Sequence, residues 1–160
     1  MQYFTLEEFT RSETALRMGL TNVPTPAVAD RIRRLVETLL DPLRSEWAAR
    51  CTTESWKNPA IVITSGYRSD ELNRAVGGAA TSAHRSGWAA DLKPQNGRLR
   101  EFKQCCRSFL ATRDFDQLIS EAEDAAGMPR WMHIGLYDRN GQQRGQLLSM
   151  RNGRYFPMTD

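Results

Sequence analysis

Between Thr25 and Leu43 the apolar residues Val28, Ile32, Leu35, Val36, Leu39, Leu40 and Leu43 fall mostly three or four positions apart. That is the period of one face of an α-helix, and the stripe is assigned to the core. Thr25-Pro26 opens the segment as a capping residue followed by proline at the first helical position. Pro42 lies within the same stripe and should kink or restart the helix. Upstream, Thr5 is placed to cap a short helix over Leu6–Thr10, with Glu8 completing a capping box. The period then shortens. The β-branched run Ala60-Ile61-Val62-Ile63-Thr64 predicts a buried strand, ending at Ser65-Gly66-Tyr67-Arg68-Ser69. Ser69 caps a helix over Asp70–Ala75, which Gly77-Gly78 stops. Trp88–Leu92 predicts a strand, Leu99–Leu110 an amphipathic helix, and Gln117-Leu118-Ile119 and Trp131–Leu136 two neighbouring strands. Asp138-Arg139-Asn140-Gly141 has the composition of a hairpin turn, with a further strand over Gln146–Met150. The expected fold class is α+β, one domain over residues 1–160 with helices packed on one side of a largely antiparallel sheet.

Composition refines this only modestly. The 160 residues suit one domain able to bury about two thirds of its unfolded surface. The 40% hydrophobic and 26% charged content is that of a globular protein. A net charge of +3, spread along the chain rather than striped, argues against nucleic acid as a partner. No apolar run approaches the ~20 residues that span a bilayer, so no membrane partner is expected, and the expected state is a monomer. Met1–Glu8 has no basic-then-apolar leader. Cys51, Cys105 and Cys106 are expected as reduced thiols, consistent with folding in a reducing compartment.

The chemistry concentrates on two histidines. His84 lies in Ser82-Ala83-His84-Arg85-Ser86-Gly87-Trp88-Ala89-Ala90-Asp91, and His133 in Trp131-Met132-His133-Ile134-Gly135. Two imidazoles and a carboxylate are a usual protein ligand set for a catalytic zinc that keeps one position open. His84 and Asp91, seven residues apart, suit a ligand on a turn and a second on the following strand. Gly87 between them would let the backbone pass close to a metal. Ser82 could hydrogen-bond a ligand or simply make the turn. Spacing alone leaves open that these are ordinary hydrogen-bonded histidines.

Taken together, Ser65-Gly66-Tyr67-Arg68-Ser69, Ser82-x-His84-x-x-Gly87-x-Ala89-x-Asp91 and Trp131-x-His133 resemble the M15 family of zinc D-alanyl-D-alanine peptidases, closest to its phage-type branch. Phe4-Thr5-Leu6-Glu7-Glu8-Phe9, Ser12, Asn22, Asp41-Pro42-Leu43-Arg44 and Phe115-Asp116-Gln117-Leu118-Ile119 extend the likeness from about residue 4 to 149. The resemblance implies Zn2+ held by His84, Asp91 and His133, activating water against a peptide carbonyl of the peptidoglycan stem peptide. It also implies Arg68 as the arginine that contacts substrate and the developing oxyanion; the plainer alternative is an ion pair holding the Tyr67–Asp70 turn. Phage-type release to the cell wall, or a place in the virion, would be the expected setting.

One position departs from the family pattern. An acidic general base commonly lies three residues before the last histidine, and here that residue is Arg130, which accepts no proton. The nearest acids are Glu121, Glu123 and Asp124, and Glu121 is favoured because its strand is expected to pair with that of His133. Without a base the chain would be a catalytically silent zinc-containing module that binds peptidoglycan. A purely structural zinc site is disfavoured, since such sites prefer four ligands and cysteine.

Overall fold

The structure, a computed structural model, describes residues 1–159. The helices are α1 (Leu6–Thr10), α2 (Glu13–Met18), α3 (Pro26–Leu35), α4 (Asp41–Thr53), α5 (Asp70–Ala75) and α6 (Leu99–Leu110). The strands are β1 (Ile61–Ser65), β2 (Ala89–Pro94), β3 (Gln117–Glu121), β4 (Trp131–Gly135), β5 (Gln146–Arg151) and β6 (Arg154–Pro157). They form one sheet in the order β1-β2-β4-β3-β5-β6, antiparallel except for the parallel pair β3–β5. The expected α+β class and the largely antiparallel sheet are both observed.

The apolar stripe is core. Ile32, Leu35, Val36, Leu39, Leu40 and Leu43 are fully buried against Ala90, Leu92, Leu118, Met132 and Ile134 of the sheet. Helix α6 joins this layer through Phe102, which meets Trp47 of α4 edge-on at 5.2 Å. All of this lies on one face of the sheet. Helices α3 and α4 are separated by a π-helical stretch over Val36–Leu40, where the Asp41 N–H reaches back to the Val36 carbonyl. Pro42 has no N–H, and its ring would crowd the carbonyl four residues earlier. The widened turn just before it accommodates that, so the helix restarts as expected. Asp41 also accepts from the Gln2 and Tyr3 N–H groups at 2.6 and 3.0 Å, fixing the N-terminus to α4.

All three predicted caps form, with Thr25 accepting from the Val28 N–H at the start of α3. Thr5 and Glu8 make the reciprocal capping box, and Ser69 caps α5. Two elements go beyond the sequence prediction: α2, capped by Ser12, and β6, joined to β5 through Asn152-Gly153. One prediction is corrected. Asp138–Gly141 is a tight turn, with Asp138 Oδ1 accepting from the Asn140 and Gln142 N–H groups, but it joins no hairpin. Strand β4 already has β2 and β3 on its two edges, so β5 pairs parallel to β3 instead. Cys105 and Cys106 lie in α6 as expected, and all three cysteines are free and buried. None of the described helices is long and apolar enough to cross a membrane.

Candidate metal centre

The second face of the sheet carries the site. Strand register places Asp91 of β2 beside His133 of β4, and His133 beside Ile119 of β3. Cross-strand neighbours project to the same side, so Asp91 and His133 stand next to one another facing away from the helices. His84 reaches them from a 3₁₀ turn over Ala83–Ser86. Its ring is fixed from behind, where Nδ1 lies 2.7 Å from the Gly66 carbonyl and donates to it. Burial lowers the pKa of His84, so the ring is neutral and Nε2 offers a lone pair.

The three donors converge. His84 Nε2 lies 3.2 Å from both His133 Nδ1 and Asp91 Oδ1, and His133 Nδ1 lies 3.0 Å from Asp91 Oδ1. Burial alone would raise the pKa of Asp91, but His84 and His133 hold it well below the ordinary carboxylate range, and Asp91 is ionised. With the His84 ring neutral and its Nδ1 proton given to Gly66, a proton on His133 Nδ1 would have to serve two acceptors at once. A divalent cation satisfies all three lone pairs. Three ligands of one tetrahedral zinc, at about 2.0–2.2 Å each, stand roughly 3.3–3.5 Å apart, close to the spacings found. The donor set therefore fits zinc.

Arg68 completes the back of the site. One guanidinium Nη donates to Asp91 Oδ2 at 3.1 Å and Nε donates to Ser65 Oγ at 3.0 Å. Asp70 pairs with Arg85, so the ion pair of Arg68 ties the Tyr67–Asp70 turn to Asp91 rather than closing it on itself. The loop bearing Arg68 is set by close packing that only glycine permits at position 66. A Cβ there would meet the Phe9 Cα and carbonyl oxygen at 2.6 Å. The Tyr67 N–H bonds the Phe9 carbonyl, while buried Asn22 takes the Ser69 N–H and gives its amide to the Thr10 and Tyr67 carbonyls.

These residues floor a groove of about 1290 Å³ on the open face of the sheet. Glu121 lines it, on the same face as His133 and next to Trp131 in the β3–β4 register. Its carboxylate is mostly buried and has no hydrogen bond or ion pair among the described residues. Burial raises its pKa, with His133 and Arg68 opposing and Asp91 reinforcing. The other two acids are committed elsewhere. Glu123 is bound by Lys103 at 2.9 Å, Arg151 at 2.8 Å and Ser149 at 2.8 Å. Asp124 accepts from the Ala126 and Met128 N–H groups to close its own loop. The arginines that might have neutralised Glu121 do not: Arg144 grips Asp116 with two nitrogens, and Arg130 meets Glu121 through its backbone N–H.

One sequence expectation about this loop changes, and one of two open readings is observed. Gly87 adopts φ +75° and faces helix α3, where a Cβ would meet Val28 and Ile32 at 3.0 Å; its role is helix packing, not clearance for a metal. Ser82 makes the turn, its carbonyl accepting from the Arg85 N–H. The Gly66 carbonyl behind His84 was not foreseen. A backbone acceptor leaves no side-chain signal, although Ser65-Gly66-Tyr67 marked the segment.

Comparison with known families now bears on the site. A profile for peptidase M15 matches residues 2–125. The chain belongs to the peptidase M15 family. M15 peptidases are zinc metallopeptidases, and the matched segment contains Arg68, His84, Asp91 and Glu121. His133 lies beyond it, and the sheet returns it to the other two donors. No individual curated protein matches the chain.

Proposed function

We propose that this M15 peptidase hydrolyses peptide bonds of bacterial peptidoglycan stem peptides, as a D-Ala-D-Ala carboxypeptidase or endopeptidase, with zinc held by His84, Asp91 and His133. The observation that carries the proposal is the convergence of three mutually adjacent donors with a partnerless buried carboxylate, Glu121, on one groove floor. Bound zinc supplies Lewis-acid polarisation of water and of the scissile carbonyl. The protein side chains supply the rest. Glu121 takes a proton from the attacking water and returns it to the leaving amine, a role for which a carboxylate with a raised pKa is suited. Arg68 occupies the second oxygen of Asp91, directing Oδ1 toward the histidines, and keeps a fixed positive charge beside the developing oxyanion. The phage-type resemblance extends the proposal to action at the cell wall, by lysin-like release or from a virion.

The silent-module alternative rested on Arg130 at the usual position of the base. Glu121 weakens it, because a carboxylate is supplied from the neighbouring strand. The test is chromatographic analysis of purified peptidoglycan after incubation with zinc-loaded protein, with metal content measured on the same preparation. One zinc per chain, lost in His84→Ala and His133→Ala, and a new stem-peptide product support the proposal. Intact peptidoglycan at full zinc occupancy refutes the peptidase assignment, and undiminished zinc in both variants refutes the ligand set.

A further inference from the structure

The terminal hairpin, which lies outside the segment matched by the M15 profile, contributes one wall of the groove. Asn152 and Gly153, at φ +49° and +74°, form its two-residue turn, the left-handed geometry that suits the twist of flanking strands. The turn sets Tyr155 opposite Met150. Since Ile119 is level with Leu148 in the parallel β3–β5 pair, Glu121 is level with Met150 two residues on. Trp131, Glu121, Met150 and Tyr155 therefore form one row across four strands, on the same face as the metal donors, and all four line the groove.

Tyr155 is unusual in that row. It is 59% exposed, and its hydroxyl has no hydrogen-bond partner among the described residues. An aromatic ring opposite Met150 with a free hydroxyl suits a binding contact, since it joins apolar area to one directed donor at low entropic cost. Burial, with Glu121 and Asp91 nearby, pushes the phenol pKa up, so the hydroxyl is a donor throughout the neutral range.

We propose that Tyr155 binds the substrate residue on the leaving-group side of the scissile bond, its hydroxyl donating to that residue's main-chain carboxyl oxygen. The inference rests on the assignment of Glu121 as the group that protonates the leaving amine. The leaving nitrogen must lie within reach of Glu121, and beyond Glu121 the row leads away from the donor strands β2 and β4 to Met150 on β5 and Tyr155 on β6. The acceptor is either the free carboxylate of a terminal D-Ala or the carbonyl of a continuing chain.

The test uses the zinc-loaded Glu121→Gln protein, which binds without turnover, and two synthetic probes: a stem pentapeptide ending in D-Ala-D-Ala, and its C-terminal amide. Calorimetric Kd values are compared with Tyr155 present, in Tyr155→Phe and in Tyr155→Ala. Tyr155→Phe keeps the ring opposite Met150 and should weaken binding about tenfold or more, with an unchanged thermal midpoint. Loss on the acid alone identifies a carboxylate acceptor; equal loss on both identifies a carbonyl. Unchanged Kd values for both peptides in Tyr155→Phe overturn the proposal, as does a failure of both peptides to bind when Tyr155 is present. Binding that depends on Tyr155, in a chain whose Glu121 form leaves every peptide intact, would sink the peptidase assignment while upholding the contact.

Discussion

The sharpest test of the site is Glu121→Gln, because the structure separates what this substitution removes from what it leaves. Glutamine has the shape of glutamate, so no cavity opens in the β3–β4 face. No hydrogen bond or ion pair to the carboxylate exists among the described residues, so none is lost. What disappears is basicity. A positioned general base contributes about 10²–10⁴-fold, equivalent to roughly 2.7–5.4 kcal/mol of barrier at 1.36 kcal/mol per tenfold. The pH profile should carry the same signature. Glu121 acts as a base only when ionised, so kcat/KM rises with pH through its pKa. Burial pushes that pKa up from the ordinary glutamate value of 4.5, and a bound zinc would push it the other way. The assay is stem-peptide hydrolysis followed by HPLC between pH 4 and 9, with zinc content and circular dichroism measured on each variant. Expected is a folded, zinc-loaded variant that has lost both the rate and the acid limb. Near-normal turnover would refute the assignment of the base. Loss of zinc or of fold would show that Glu121 is structural.

Other consequences follow from the same geometry. Arg68→Ala should lower kcat by about 10²–10³-fold and weaken zinc binding by about 10–100-fold, since Asp91 loses the partner of its second oxygen; a metal titration with unchanged affinity and turnover would leave Arg68 without the proposed role. Glu123→Gln should cost about 3–5 kcal/mol, because it strands the buried Lys103 ammonium, and should lower Tm by about 6–20 °C. The Glu123 carboxyl is buried, but Lys103, Arg151 and Ser149 hold its pKa down at about 2 against an ordinary 4.5. A depressed folded-state value means that this stabilisation is complete above about 4.5 and fades as pH falls toward 2. The Tm gap between wild type and variant should therefore narrow across that window, and a gap that persists unchanged to pH 2 would contradict the ion-pair account.

How far the chain could be read in advance depended on whether each decision was local. The capping box at Thr5–Glu8, the Ser69 cap and the restart at Pro42 are set within a few residues, and all are observed. The Val28–Leu43 stripe carries its own period, so its burial was legible. Helix α2 and strand β6 were missed despite local signals in Ser12 and Asn152-Gly153, because fewer than two turns of helix or one short exposed strand give too little periodicity. The pairing of β5 was not local at all. Asp138–Gly141 forms its turn whatever lies on either side, but whether β5 folds back on β4 depends on which edges are free.

The site divides along the same line. The residue types of the donor set were visible because the chain has only two histidines and each lies in a distinctive segment. What brings them together was not visible: the β2–β4 register that sets Asp91 against His133, and the Gly66 carbonyl that turns His84 toward both. Gly87 illustrates the risk of assigning a role from position alone. It sits between two donors in sequence, yet its missing side chain is needed by Val28 and Ile32 of α3. The choice among Glu121, Glu123 and Asp124 turns on alternation. Residues 121 and 123 flank the end of β3, where the chain leaves the strand through Ala122 at φ +49°. That change of direction sends Glu123 beneath the sheet to Lys103 and leaves Glu121 above it beside the histidines. A left-handed alanine is thus the feature that separates a candidate base from a structural carboxylate two residues away.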